Sequence, residues 1–200
     1  MRKKIIPGLV MILVGIGLMA YPLFHNLVSE QKQQALAEQL RQEEERRAGM
    51  ERVDLKAALP PAEQLGGKVW LEIPKIGITA VVVYGTSTAQ LDKGPGFMEG
   101  TASPGQNGNV VIAGHRNTGG FWFRHLDKME PGDEIILRYY GLRFEYTVQK
   151  VFVVDQYEWT ITEPIGYPAI TLFTCHPYGS TEQRLVVRGK LENSYSVNLR

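Results

Sequence analysis

Residues 68–83 read KVWLEIPKIGITAVVV, and this stretch decides the fold class of the chain. Its two halves, Lys68–Ile73 and Ile78–Val83, are short runs of mainly apolar residues, many of them β-branched. Pro74 and Gly77 lie between the two runs. Such runs separated by turn residues are typical of consecutive strands. The stretch therefore predicts a β-domain that begins at residue 68.

The same pattern continues toward the C-terminus. Further strands are predicted at Asn109–Ala113, Glu134–Tyr140, Arg143–Val154, Ala169–Thr174 and Arg184–Leu191. Turn-rich segments separate them, and only Phe121–Met129 has a helical pattern in this region. Many short strands with few helices favour a closed barrel or a sandwich. We therefore assign residues 68–200 to an all-β domain with short helices.

The N-terminal part of the chain is apolar. Three basic residues at positions 2–4 precede 20 uncharged residues, from Ile5 to Phe24. A helix of this length spans about 30 Å, the hydrocarbon thickness of a bilayer. A cleaved signal peptide is the alternative, but its apolar part is usually shorter. Residues 1–28 are therefore predicted to be a single-pass anchor at the cell membrane. Because basic flanks stay in the cytoplasm, the β-domain is expected outside the cell.

Residues 29–67 are predicted to connect the anchor to the β-domain. Thirteen of the 28 residues from Ser29 to Lys56 are charged, and most of the others are good helix formers. Leu36 and Leu40 are too few for a sustained heptad repeat. A solvated helical stalk is therefore favoured over a dimerising coiled coil, and no residue before 68 is assigned to chemistry.

Composition excludes several classes of protein. The net charge is +1, from 22 basic and 21 acidic residues, so no nucleic-acid partner is predicted. Hydrophobic residues make up 44% of the chain, which excludes wholesale disorder. With one cysteine, the chain can form neither an internal disulfide nor a cysteine-based zinc cluster. No metal site and no cofactor are predicted.

Cys175 is the most informative single residue, because it ends the predicted strand Ala169–Thr174. A lone cysteine outside the cell is either an inert buried residue or a reactive thiol. A nucleophilic thiol needs a base or a cationic partner, and it needs donors for the oxyanion that forms on the attacked carbonyl. The sequence around Cys175 must therefore supply both.

Two residues are candidates for these roles. His115 follows the strand Asn109–Ala113, and Arg184 opens the strand after Cys175, where a hairpin would return its guanidinium to the thiol. Taken singly, a structural histidine and a surface arginine are the alternatives. Arg188 shares the face of Arg184 but lies about 13 Å further along the strand, so it is predicted to be outside the chemistry.

Three separated motifs resemble the sortases, the Gram-positive cell-surface cysteine transpeptidases. TLFTC at 171–175 resembles the TLxTC signature of the family, NVVIAGHR at 109–116 the segment with its histidine, and RLVVRG at 184–189 the strand with its arginine. The resemblance covers about residues 68–191. It implies an eight-stranded sortase-type β-barrel in which Cys175, His115 and Arg184 are catalytic.

The resemblance also implies an activity. Cys175 would cleave an LPxTG-like sorting signal of a secreted protein and form a thioacyl-enzyme. The amine of a lipid-linked cell-wall precursor, or a pilin lysine, would then resolve it. His115 would transfer the proton, and Arg184 would hold the substrate and the oxyanion. The calcium dependence of some members is not carried over, because no dense acidic loop is present.

The sorting-signal groove of the family includes the segment between the sixth and seventh strands. The residues predicted to bind substrate are Thr174 of the signature and Trp159, Ile161 and Ile165 of this segment. Packing of the segment onto the barrel is the alternative for Trp159 and Ile161.

Within the family, one N-terminal anchor favours a housekeeping or class D-like sortase. A pilin-polymerising sortase is the alternative, although a second membrane span and a lid motif are missing from the sequence.

Two hypotheses outside the family stay open. One is another cysteine enzyme of the cell wall, and the other is a non-catalytic, membrane-tethered β-domain that acts as a scaffold.

Overall fold

The computed structural model describes residues 27–42, 69–139 and 141–196. Eight strands are present: β1 (Val69–Ile73), β2 (Ile78–Tyr84), β3 (Gly96–Phe97), β4 (Gly108–Ala113), β5 (Glu134–Tyr139), β6 (Leu142–Asp155), β7 (Pro168–His176) and β8 (Gln183–Ser196). Helix α1 comprises residues 27–42, and α2 is the single turn Thr88–Leu91. Short 3₁₀ helices cover Pro74–Ile76, Gly119–Phe121, Leu126–Lys128 and Trp159–Thr162.

The strands form a closed barrel in the order β1-β2-β3-β4-β7-β8-β6-β5, and β5 pairs with β1 to complete it. Two pairs are parallel, β2 with β3 and β4 with β7, and the others are antiparallel. The predicted eight-stranded β-barrel is therefore confirmed. The parallel pair β4–β7 brings together the strands that precede His115 and Cys175.

The helix predicted at Phe121–Met129 is wrong. This region contains two separate 3₁₀ turns, Gly119–Phe121 and Leu126–Lys128. Gly120 has a φ of 83° and Phe121 a φ of 53°, and both values lie in the left-handed region that a right-handed helix cannot include. The apolar pattern of the segment instead reflects the burial of Phe123, Leu126 and Met129.

Two apolar clusters stabilise the barrel. The larger one fills the interior and includes alternate residues of each long strand, such as Val110 and Ile112 on β4. The smaller one lies on the opposite face of the same strands and comprises Val111, Ala113, Ile161, Phe173 and Val186. We call this second cluster the outer apolar floor. Because it lies on β4, β7 and β8, it adjoins the strand ends that carry the predicted catalytic residues.

Residues 27–42 are helical, as the sequence predicts, but they are not solvated on all sides. Ser29, Gln33 and Leu40 are buried, and this spacing places them on one helical face. Gln33 hydrogen-bonds to Val81 of β2, so α1 packs on the barrel. Most of the predicted anchor and the linker from 43 to 67 lie outside the described residues. Within the described ranges, none of the helices combines the length and the apolar character that crossing a membrane requires.

Candidate active site

The β7–β8 hairpin brings Cys175 and Arg184 together. The two residues are directly paired in the antiparallel register, and Nη1 of Arg184 lies 3.8 Å from Sγ of Cys175. The same nitrogen donates to the carbonyl oxygens of Thr181 at 2.7 Å and Gln183 at 3.0 Å. These two bonds orient the guanidinium toward the thiol. The hairpin predicted from the sequence is therefore confirmed.

His115 reaches the same end of the barrel through the parallel strands β4 and β7. Ala113 is paired with Phe173, and two residues beyond this pair come His115 and Cys175. The strands remain joined there, because the Gly114 amide donates to the Phe173 carbonyl at 3.2 Å. Neighbouring strands are about 4.8 Å apart. The backbones of His115 and Cys175 therefore lie side by side at the same end of the barrel.

Asp92 faces the histidine from the turn after α2. Its Oδ1 lies 3.5 Å from Nε2 of His115, and the two side chains are 31% and 20% exposed. At this distance the carboxylate contacts the imidazole and can hold the orientation of its ring. Nothing in the sequence indicates this contact, because Asp92 and His115 belong to segments that only the folded barrel brings together.

A second arginine, Arg116, is buried beside the site and contacts the end of β7. Arg116 is only 6% exposed, and its Nη1 donates to the carbonyl oxygen of Cys175 at 3.4 Å and contacts Nδ1 of His176 at 3.1 Å. Its Nη2 pairs with Asp127 at 3.1 Å. Arg116, which directly follows His115, therefore connects this part of the chain to the end of β7. Its place in the histidine motif was visible in the sequence, but its burial was not.

The four residues predicted to bind substrate occupy different environments. Thr174 is 2% exposed and donates its hydroxyl to the Gly114 carbonyl at 2.7 Å, so it joins β7 to the residue before His115. Ile161 is 4% exposed within the outer apolar floor, Ile165 is half-buried, and Trp159 is 53% exposed. Direct contact with substrate stays a prediction for all four.

Arg188 has a contact that the sequence did not reveal. Its Nη2 donates to the Ile161 carbonyl at 2.7 Å, and its Nε donates to the Thr171 hydroxyl at 3.1 Å. Asn109 donates to the same Ile161 carbonyl at 2.9 Å. Burial lowers the pKa of the Arg188 guanidinium, which nevertheless stays charged at neutral pH. Arg188 therefore fixes the 3₁₀ segment Trp159–Thr162 against the outer apolar floor.

Comparison with known proteins agrees with this geometry. The family model described as "Sortase domain" matches residues 71–192. Sortase D of Bacillus subtilis is 35% identical over 125 residues, which are 60% of this chain and 61% of that protein. Sortase A of Listeria monocytogenes is 30% identical over 125 residues, 62% of this chain and 56% of that protein. The chain thus aligns with less than two thirds of the length of each of these curated relatives.

A solved structure, that of a Sortase D5 transpeptidase of Clostridium perfringens, superposes with a TM-score of 0.62 at 26% identity. The match covers 83% of this chain and 99% of that one. The family model spans more than half of the sequence, and the residues that it matches include the β7–β8 hairpin with Cys175 and Arg184 and the segment with His115. The chain belongs to the sortase family.

Proposed function

We propose that the protein is a cysteine transpeptidase that cleaves an LPxTG-like sorting signal and transfers the cleaved protein to an amine. The observation that carries this proposal is the contact between Cys175, the single cysteine of the chain, and Arg184 at 3.8 Å. A guanidinium this close to the sulfur is a hydrogen-bond donor for the negative charge that develops on the attacked carbonyl oxygen during acyl transfer. His115, which follows the neighbouring strand β4, supplies the acid and base that an acyl transfer requires.

The proposed reaction has two steps. The Cys175 thiolate attacks the threonine carbonyl carbon of the signal, and Arg184 stabilises the negative charge on the carbonyl oxygen. The C–N bond to the next residue then breaks, His115 gives its proton to the leaving amine, and a thioester remains. In the second step an incoming amine loses a proton to His115 and attacks the thioester. The thiolate is released, and a new amide bond joins the two partners.

The outer apolar floor supports recognition of an apolar signal. Phe173 lies on the same face of β7 as Cys175, because side chains two residues apart share a face. From there the floor continues through Val186 to Ile161. A peptide whose threonine reaches Cys175 would lay its preceding leucine and proline on these apolar side chains. Trp159, which is largely exposed, would stand at the rim of this groove.

The proposed setting is the outer face of the cell membrane, with residues 1–28 as a single-pass anchor and the N-terminus in the cytoplasm. Sortases are membrane-associated enzymes of the cell wall, and the apolar run of 20 residues supports such an anchor. The proposed partners are secreted proteins with an LPxTG-like signal and a lipid-linked cell-wall precursor that supplies the amine. The similarity to Sortase D favours a class D-like type.

Intact-mass spectrometry of the full chain in detergent micelles would test the proposal. The protein is mixed with a set of peptides that vary around LPxTG, with no amine, with a cell-wall stem peptide or with a pilin-derived lysine peptide. We expect a thioacyl adduct on the wild type that one of the amines resolves, and no adduct on Cys175→Ala. If no peptide acylates the wild type although an alkylating reagent modifies Cys175, the proposed substrate class is wrong. An unreactive thiol would favour the scaffold instead.

A further inference from the structure

A side chain of helix α1 makes backbone-like hydrogen bonds to an open edge of strand β2. Beside β2, the short strand β3 pairs only with Val83 and Tyr84. At Val81 the edge is closed by Gln33, whose Oε1 accepts from the Val81 amide at 2.9 Å and whose Nε2 donates to the Val81 carbonyl at 3.1 Å. The side-chain amide thus makes the two hydrogen bonds that a neighbouring strand would make.

The same amide also holds the turn that follows α2. Nε2 of Gln33 donates to the Lys93 carbonyl at 2.5 Å, so one nitrogen bridges β2 and this turn. The Gln33 side-chain amide fits here because residue 94 is glycine. A Cβ on this residue would overlap Gln33 and would lie 2.8 Å from the Val81 carbonyl oxygen. Gln33 is only 8% exposed. The turn is therefore fixed by a buried contact with α1.

This turn carries the carboxylate that faces His115. Asp92 immediately precedes Lys93, and its Oδ1 is 3.5 Å from Nε2 of the histidine. Gly119 packs closely against both groups, since a Cβ there would lie 2.7 Å from Oδ1 of Asp92 and 2.9 Å from Cδ2 of His115. A small displacement of the turn would therefore change the distance between the carboxylate and the imidazole.

We propose that α1 is a positioning element of the active site: Gln33 fixes the turn 92–94, and Asp92 in this turn orients His115 and stabilises its imidazolium. Asp92 and Gln33 are positioning residues, because neither has to touch the substrate. The inference rests on the proposed role of His115 in acyl transfer. It extends the functional unit beyond residues 71–192, which the family model matches, to a helix that precedes them.

The remaining charged and titratable groups near His115 lie on adjoining elements. Among them are Cys175 and His176 on β7, Arg184 on β8, Arg116 beside the histidine in the chain, Asp127, which pairs with Arg116, and Arg124 and His125 in the segment whose Phe123 amide donates to the His115 carbonyl. Arg116 and Arg184 are cations, so they oppose the imidazolium. Asp92 is the carboxylate in ion-pair contact with His115, and its removal should reduce the fraction of enzyme in which thiolate and imidazolium coexist.

The test uses the full chain in detergent micelles and follows two readouts for each variant. The first is the rate at which iodoacetamide alkylates Cys175 as a function of pH, which is specific because the chain has one cysteine. The second is the acylation rate with a cleavable peptide. Asp92→Asn should move the alkylation profile to higher pH and should lower the acylation rate by roughly tenfold or more, with little change in KM.

Gln33→Ala should change both readouts in the same direction by a smaller amount. The matched control is Gln42→Ala, on the same helix, because Gln42 is exposed and binds Glu38 within α1. This control should leave both readouts unchanged. Gly94→Ala perturbs the contact from the opposite side and should reproduce the effect of Gln33→Ala. In the double variant Gln33→Ala/Asp92→Asn, the loss should equal that of Asp92→Asn alone.

Three results would overturn the inference. The first is a Gln33→Ala profile that coincides with that of Gln42→Ala. The second is full additivity in the double variant. The third is a lower melting temperature for Gln33→Ala without any shift of the pH profile, because a purely structural role would produce it. If the wild type cleaves no peptide but the alkylation profiles shift as described, the proposed function fails while the link from Gln33 to His115 stands.

Discussion

Replacement of Arg184 by lysine separates the geometry of this side chain from its charge. The guanidinium donates to the carbonyl oxygens of Thr181 and Gln183 and lies 3.8 Å from Sγ of Cys175. Two unit charges about 4 Å apart interact by about 4 kcal/mol at an effective dielectric constant of about 20. Lysine keeps most of this attraction for the thiolate. It loses the planar fork that two carbonyl groups hold in place.

The expected loss is therefore the contribution of an oriented oxyanion donor, about 2.7–4 kcal/mol or roughly 10²–10³ in rate. The melting temperature should change little, because the carbonyl groups of the exposed residues Thr181 and Gln183 can bind water instead. The control is Arg138→Lys, which makes the same chemical change in an ion pair with Glu72 on β5 and β1.

The assay is single-turnover acylation of each variant by a cleavable peptide, with thermal unfolding measured in parallel. We expect a slow Arg184→Lys and a near wild-type Arg138→Lys, with both proteins folded. A near wild-type rate for Arg184→Lys would refute the argument that the guanidinium acts as an oriented donor. Equal losses in both variants would show that any change from arginine to lysine harms the barrel.

Further predictions concern residues around the site. Thr174→Val should cost about 1–3 kcal/mol of unfolding free energy in denaturant titrations, because it leaves the Gly114 carbonyl unpaired, whereas Thr174→Ser should retain it. Arg188→Lys should raise the KM for peptide more than it lowers kcat, since it releases the Ile161 carbonyl; steady-state kinetics with an equal loss in kcat would contradict this. Hydrogen bonds from Tyr195 and Arg143 hold the pKa of Glu145 below its ordinary value, which stabilises the fold at neutral pH and is lost as the pH falls through that lowered pKa. Tyr195→Phe should therefore destabilise the fold at neutral pH, and in unfolding titrations its difference from wild type should vanish in acid.

The parts of the fold that could be predicted are those with a regular pattern in the sequence. Seven of the eight strands are long enough for β-branched runs and turn residues to mark them, as at Ile78–Tyr84. Cys175 and Arg184 are nine residues apart, so a single hairpin suffices to join them. His115 required more, because its strand meets β7 only in a parallel pair that local sequence does not specify. The family resemblance supplied that step.

The parts that were missed depend on contacts between distant segments. The strand Gly96–Phe97 has two residues and no periodicity. Nothing in the sequence distinguishes Gln33 from the other glutamines of its segment. It is buried because its side chain bonds to the incomplete edge of β2. Arg188 is predicted to lie outside the chemistry because it is far from Arg184 along β8, and the structure adds that its guanidinium anchors the segment at Ile161. The distance between two residues along one strand does not show which residues of another segment pack against that strand.

If residues 1–28 form the proposed anchor, the docking of α1 also limits how far the barrel can lie from the bilayer. With an anchor that ends at Phe24, the nine residues 25–33 join it to the barrel contact at Gln33, and because residues 27–33 are helical this tether is at most about 20 Å long. If α1 were a helix free of the barrel, the 44 residues 25–68 would permit about 120 Å, with 16 of them helical. Under the proposed anchoring, the groove would stay close to the lipid headgroups, where it would meet proposed substrates and amines that are themselves held at the membrane.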